Sequence, residues 1–337
     1  MMHAGCCAID VHTHVVPENF PPYARKAANV AWPSMVPAHA CHRHVMLSGQ
    51  IYRTVSDRCW DVQARIADVA PTGVYKQVLS PMPELLSYWL DGEDGAALSR
   101  YINEQIAQMV VREPQRFFGL GTVPLQDLDR AIAELEFIVR ELKLSGVEVG
   151  SNVNGMPLGH PTLAPFFEAA EKLGAAIFVH PLRPAGMERL VGPKNLEQVV
   201  AFPGENGLAA ASLLTGGTLS RFPKLRIAFS HGGGSLAMVL PRLQHGWEAF
   251  EALKAAVPMS PTEGARKMYY DSLVYDELTL RHLIDRFGKT QICVGTDFPF
   301  AIAEREPVKR INTLGLDEAT RMLLLKENAL RWLDVAH

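Results

Sequence analysis

Two hydrophobic rhythms alternate along this chain. Short runs rich in β-branched and aromatic residues recur, and the stretches between them carry apolar residues three and four apart. The runs predict strands over Cys7–His14, Val74–Ser80, Phe117–Pro124, Gly146–Ser151, Ala175–His180, Leu225–His231, Met268–Ser272 and Gln291–Asp297. The stretches between predict helices over Asp61–Ala70, Ala96–Arg112, Leu128–Leu142, Thr162–Leu173, Glu205–Ser220, Leu236–Ala255 and Leu278–Phe287. In Leu128–Leu142, for example, Ile132, Leu135, Ile138, Val139 and Leu142 share one helical face.

Eight strands alternating with helices predict an α/β fold, a (β/α)₈ TIM barrel. We read residues 1–337 as one barrel domain, distorted by a small insertion over 15–60 after the first strand. Within it, Pro17–Ser48 is rich in Pro, Ala and His and reads as irregular. A doubly wound open sheet is the alternative. It would want a phosphate-cradling GxGxxG after the first strand, and none is there.

Composition narrows the partners. Of 337 residues, 48% are hydrophobic and 20% charged, which is ordinary globular material. A net charge of −3 without a Lys/Arg cluster gives no reason to expect nucleic acid. No apolar stretch has the length of a membrane span, and no basic-then-apolar leader opens the chain. Five scattered cysteines (Cys6, Cys7, Cys41, Cys59, Cys293) form no CxxC and read as reduced thiols of a cytoplasmic protein.

In a barrel, residues at the C-terminal strand ends converge on one mouth. Those ends here carry His12 and His14, Ser80, Thr122, Ser151, His180, His231, Asp271 and Asp297. His12 and His14 are two apart, so a strand points both imidazoles the same way. Together, His12, His14, His180 and Asp297 suit one divalent transition metal such as zinc, with a coordination position left for water. His231 would stand beside that water as general acid/base. Each also has a plain structural reading: strand-end or turn histidines, and an Asx turn at Asp297. Asp271 reads as structural. The fourth strand, GVEVGS, offers no lysine for a carbamate bridge, which argues for one metal.

Other polar residues carry less. His39, His42 and His44 around Cys41 invite a second metal, but their spacing fits no closed tetrahedral pattern. His160, His245 and His282 fall on or near helices as surface or packing residues. Arg53 and Arg242 have the right side chain for a carboxylate, yet position alone leaves both as exposed arginines.

The motifs IDVHTH, FVHP, FSHGGG and GTDFPF occur in this order, with RTVSDRCWD, FFGLGTVPLQ, SYW and RFPKLRIAFSHGGG. Over nearly its whole length the chain resembles the amidohydrolase superfamily, within it the aminocarboxymuconate-semialdehyde decarboxylase branch. That resemblance implies a distorted TIM barrel, a zinc-dependent non-oxidative decarboxylase and a homodimer. It makes His12, His14, His180 and Asp297 the ligands of one zinc per chain, with manganese or cobalt possible. His231 becomes the catalytic residue that activates a water on the metal, with Asp297 beside it. Arg53 would grip the substrate carboxylate, and Arg242 would reach the neighbouring subunit's active site. The substrate it implies is a small unsaturated or aromatic carboxylic acid: aminocarboxymuconate semialdehyde, or a related hydroxylated benzoate or pyridine carboxylate. Three positions depart from the pattern. Leu182 follows FVHP where a tryptophan is usual, Gln198 stands where a second tryptophan belongs, and Leu47 replaces a lysine. The competing functions are a hydrolase or hydratase of a lactone, amide or unsaturated diacid, and a non-catalytic metal-binding barrel.

Overall fold

The computed structural model describes residues 8–25 and 30–335; Cys6 and Cys7, the latter predicted to open the first strand, lie outside them. Eight parallel strands follow one another around a barrel: β1 (Ala8–Val15), β2 (Val74–Pro81), β3 (Phe117–Gly121), β4 (Gly146–Gly150), β5 (Ala176–His180), β6 (Arg226–Phe229), β7 (Tyr269–Asp271) and β8 (Ile292–Cys293). The last strand closes on the first. Val11 N–H donates to the Val294 carbonyl at 2.8 Å and His14 N–H to the Phe298 carbonyl at 2.7 Å. The barrel reading therefore holds over the open sheet.

Element boundaries differ from prediction where capping and close packing intervene. Asp61, Asp91, Asp127 and Asp276 each accept a backbone N–H of the following first turn. Such caps are worth about 1 kcal/mol each. The Asp91 cap starts its helix at Gly92 rather than Ala96. Glu205–Ser220 is in fact Phe202–Thr215, followed beyond Gly216 and Gly217 by a single turn, Thr218–Arg221. Likewise Leu236–Ala255 breaks at Phe250 into Leu236–Ala249 and Glu251–Ala256.

The insertion carries no helix or strand over the described residues 16–25 and 30–33, as read, but from Ser34 onward it is regular, contrary to the sequence reading. Ser34–Pro37, His42–Leu47 and Gln50–Ser56 form an antiparallel three-stranded sheet. Its first strand is largely exposed, so it shows no apolar alternation to read. The C-terminal segment, for which no helix was predicted, carries Asn328–Leu333, whose Trp332 is fully buried. Trp332 packs on Phe178 and, with Ala176 and Ala228, belongs to one buried cluster. Arg226, first residue of β6, donates from Nε to the Trp332 carbonyl at 2.9 Å. This places the helix at the N-terminal end of the strands, away from the mouth.

Candidate metal centre and active-site pocket

His12 and His14 leave β1 on the same side, as their spacing predicts, and meet His180 from β5 and Asp297 from the segment after β8. One ligand-type atom from each lies within 4.8 Å of the others, and all four residues are buried. His12 Nε2 is 3.1 Å from His14 Nε2, and His14 Nε2 is 3.0 Å from Asp297 Oδ1. Both contacts bring together atoms that a metal ion would hold at a common point.

The opposite face of each ring is tied down. His12 Nδ1 meets Asp271 Oδ2 at 2.6 Å, His14 Nδ1 the Pro81 carbonyl at 3.0 Å, and His180 Nδ1 the Pro181 carbonyl at 2.9 Å. An Nδ1–H given to an outer acceptor leaves Nε2 with a lone pair facing inward, which is how metal-binding imidazoles are oriented. His180 Nε2 is buried and, among the described residues, has no hydrogen-bond partner, and Asp297 Oδ1 meets only the imidazole nitrogens of His14 and His12. Buried polar atoms are rarely left that way. The donor set fits a divalent cation.

Asp271 was read from sequence as structural, and it does position other groups. Its second oxygen accepts from the Gly232 and Leu273 amides at 2.8 and 3.1 Å. Gly295 makes room for it, because a Cβ at that position would come within 2.5 Å of the Asp271 Cβ. Burial disfavours the Asp271 carboxylate, but the His12 hydrogen bond, the His12 and His231 charges and the Gly232 amide together outweigh it and the pKa is lowered. Burial also works against charge on His12, yet the Asp271 bond and the Asp297 charge carry its pKa up to about 9. A proton and a cation thus compete for the same imidazole. For Asp297, burial is outweighed by the His14 hydrogen bond and neighbouring imidazoles, bringing its pKa down to about 2.

His231 stands next to this group, with ring centroids 5.2 Å from His12 and 5.1 Å from His180. Burial, then the His12 charge, lowers its pKa to about 4, so its imidazole is neutral at neutral pH. His231 and Asp297 both take left-handed backbone (φ 51° and 62°), a strain that concentrates where side chains must be aimed.

A cavity of about 310 Å³ opens above, and His180, His231 and Asp297 form part of its lining. Arg53 enters from the insertion's last strand and lies over Phe300, 4.3 Å from the ring centroid. Phe300 in turn stacks on His14 at 5.1 Å. Among the described residues the Arg53 guanidinium makes no hydrogen bond or ion pair. Arg242 is elsewhere: exposed on Leu236–Ala249, outside its own chain's cavity. Leu182 and Gln198 line the cavity, whereas Leu47 does not. The His39, His42 and His44 cluster forms no metal group among the described residues; His44 Nδ1 pairs with Thr54 Oγ1 at 2.9 Å.

Sequence reasoning missed Phe300, Tyr275, Glu84 and Glu148. Phe300 stood in GTDFPF and could have been found as the ring beside Asp297. Glu148 lies within β4, where Ser80 Oγ donates to its Oε2 at 2.6 Å. Burial pushes its pKa up to about 8.

The amidohydrolase family pattern matches residues 9–335. This chain belongs to the amidohydrolase family. A 2-amino-3-carboxymuconate-6-semialdehyde decarboxylase from Dictyostelium discoideum is 39% identical over 328 residues, covering 96% of this chain and 91% of that protein. The protein of the same name from Caenorhabditis elegans is 29% identical, covering 97% and 94%. Among solved structures, 5-carboxyvanillate decarboxylase from Sphingomonas paucimobilis superposes with a TM-score of 0.76 at 27% identity, covering 83% and 85%. This amidohydrolase thus matches the two sequence relatives over nearly its full length and shares its fold with the solved structure. Among its described residues no helix is long and apolar enough to cross a membrane.

Proposed function

We propose that this amidohydrolase is a metal-dependent, non-oxidative decarboxylase of an unsaturated or aromatic carboxylic acid. One observation carries the reading: an Arg53 guanidinium without an ion-pair partner and a neutral His231 line one cavity with His180 and Asp297, which belong to the four-residue metal-type group completed by the buried His12 and His14. The names of the relatives point the same way. Substrates of this class are aminocarboxymuconate semialdehyde and related hydroxylated benzoates or pyridine carboxylates.

Losing CO₂ leaves an electron pair on carbon, so a proton must reach that carbon as the C–C bond breaks. A divalent ion, when bound, supplies Lewis acidity that polarises a substrate oxygen and acidifies water. Arg53 holds the departing carboxylate through two parallel N–H donors, and Phe300 fixes the plane of that fork. His231 accepts a proton as a neutral base and returns it to the carbon that loses CO₂. The balance is one proton taken up and one CO₂ released, with no redox partner.

Zinc is our choice of ion, since three imidazole nitrogens and one carboxylate suit it. We read residues 1–337 as one catalytic unit, because the 15–60 insertion supplies Arg53. We also place the protein in the cytoplasm, where the free thiols Cys41, Cys59 and Cys293 would stay reduced. A homodimer explains why Arg242 is exposed, and why Leu208, Met238, Val239 and Leu278 are exposed on neighbouring helices. Sedimentation as a monomer would remove that part.

The test is CO₂ release over a panel of aromatic and muconate-type acids, alongside lactones and amides. CO₂ from at least one acid is expected. Hydrolysis of a lactone or amide without CO₂ release would overturn the reading in favour of a hydrolase.

A further inference from the structure

A pocket that binds an anion is a poor place for a carboxylate with no task, since like charges brought together oppose binding. Asp297 belongs with the metal-type residues. Glu84 does not. It sits on the short turn Pro83–Leu86 after β2 and lines the same cavity as Arg53 and His231. Its side chain is only 14% exposed.

Its partners compensate for that burial incompletely. Arg183 Nη2 donates to Glu84 Oε1 at a long 3.3 Å. Arg183 itself is 53% exposed and lies flat on Trp89, 3.3 Å from the ring centroid. An exposed arginine at that distance is a weak counter-charge. Tyr52, the neighbour of Arg53 in the same strand, lines the same cavity and acts on Glu84 as a second, weaker donor. Burial is the largest influence on the Glu84 carboxyl and raises its pKa. A carboxylate offers about four lone-pair directions, so two donors leave room for a third.

We propose that Glu84 is a specificity-determining residue, accepting a hydrogen bond from a hydroxyl or amino group of the substrate whose carboxylate Arg53 holds. The inference rests on the decarboxylase reading and narrows it. An acid with O–H or N–H near its reacting carboxylate satisfies Glu84. One with methoxy, methyl or a second carboxylate there leaves a buried acceptor unpaired or sets two negative charges together, which costs affinity.

The experiment compares kcat/KM for a hydroxylated aromatic acid and its methoxy counterpart, in wild type, Glu84→Leu, Glu84→Gln and Arg183→Met, with bound metal measured for each. Wild type is expected to favour the hydroxylated acid. Glu84→Leu lowers that preference about 10- to 100-fold, the size of a charge-assisted hydrogen bond, at unchanged metal content. Glu84→Gln, which keeps an accepting oxygen, retains part of it. If Glu84 merely anchors Arg183, Glu84→Leu slows both acids alike and Arg183→Met reproduces it, and the inference fails. CO₂ release by wild type with an unchanged ratio in Glu84→Leu sinks this inference alone. If wild type releases no CO₂, the decarboxylase reading falls. The affinity ratio of the two acids by calorimetry then still decides Glu84: a drop in Glu84→Leu supports it, and no change overturns it.

Discussion

The floor and the wall of the pocket are built on different terms. On the floor, His12, His14, His180, Asp271 and Asp297 are buried, and each imidazole has its outer nitrogen committed to a fixed acceptor. On the wall, Arg53, Tyr52, Glu84 and Arg183 come from the insertion and loops, are partly exposed, and hold one another by long or single contacts. The floor is rigid enough to fix a reacting geometry, while the wall can be rebuilt without disturbing it. On the proposed function, chemistry belongs to the first region and selectivity to the second. The departures at Leu182 and Gln198 fit this division, for both lie on the wall.

Substitutions in the two regions should differ in size and in kind. His231→Ala is expected to lower kcat by roughly 10²–10⁴-fold with metal content intact, the usual contribution of an acid/base group. A loss within about tenfold, read by steady-state CO₂ release, contradicts its role. Asp271→Asn should weaken metal affinity by about 10- to 100-fold, because the amide cannot orient His12 as the carboxylate does. Competition with a chromogenic chelator reads this, and unchanged affinity would return Asp271 to a purely structural part. On the wall, Arg53→Ala should cost about 10- to 100-fold in kcat/KM, carried mainly by KM. A loss confined to kcat would move Arg53 out of carboxylate binding.

The smallest effect concerns Glu148 and stability. Its pKa is raised from 4.5 to about 8, so between those values the folded chain holds a proton that the unfolded chain has released. Its contribution is fully present below pH 4.5 and is lost as pH rises through 8. Glu148→Gln removes this term. The Tm of the chelator-treated variant should gain on wild type as pH rises across that range. A Tm difference that stays flat with pH argues against a protonated Glu148.

Most of the floor was legible from local pattern, whereas on the wall Arg53, Leu182 and Gln198 were legible only through the family resemblance and Glu84 not at all, for physical reasons. Strand periodicity aims His12 and His14 together, and the barrel rule collects His180, His231 and Asp297 at the same mouth, all from local pattern. Phe300 and Glu84 acquire meaning only from partners far along the chain, at His14, Arg53 and Arg183. The insertion sheet escaped because strand Ser34–Pro37 is mostly exposed and carries no buried face. Helix starts were misjudged where a single aspartate decides them, as at Asp91.

Metal reconstitution tests the account most directly. Chelated protein, titrated with zinc while CO₂ release from an accepted acid is followed, should be inactive at the start. Activity should rise linearly and stop at one ion per chain, and His180→Ala should show neither tight binding nor activity. Full CO₂ release from protein shown to be free of metal, or activity untouched in His180→Ala, would contradict it.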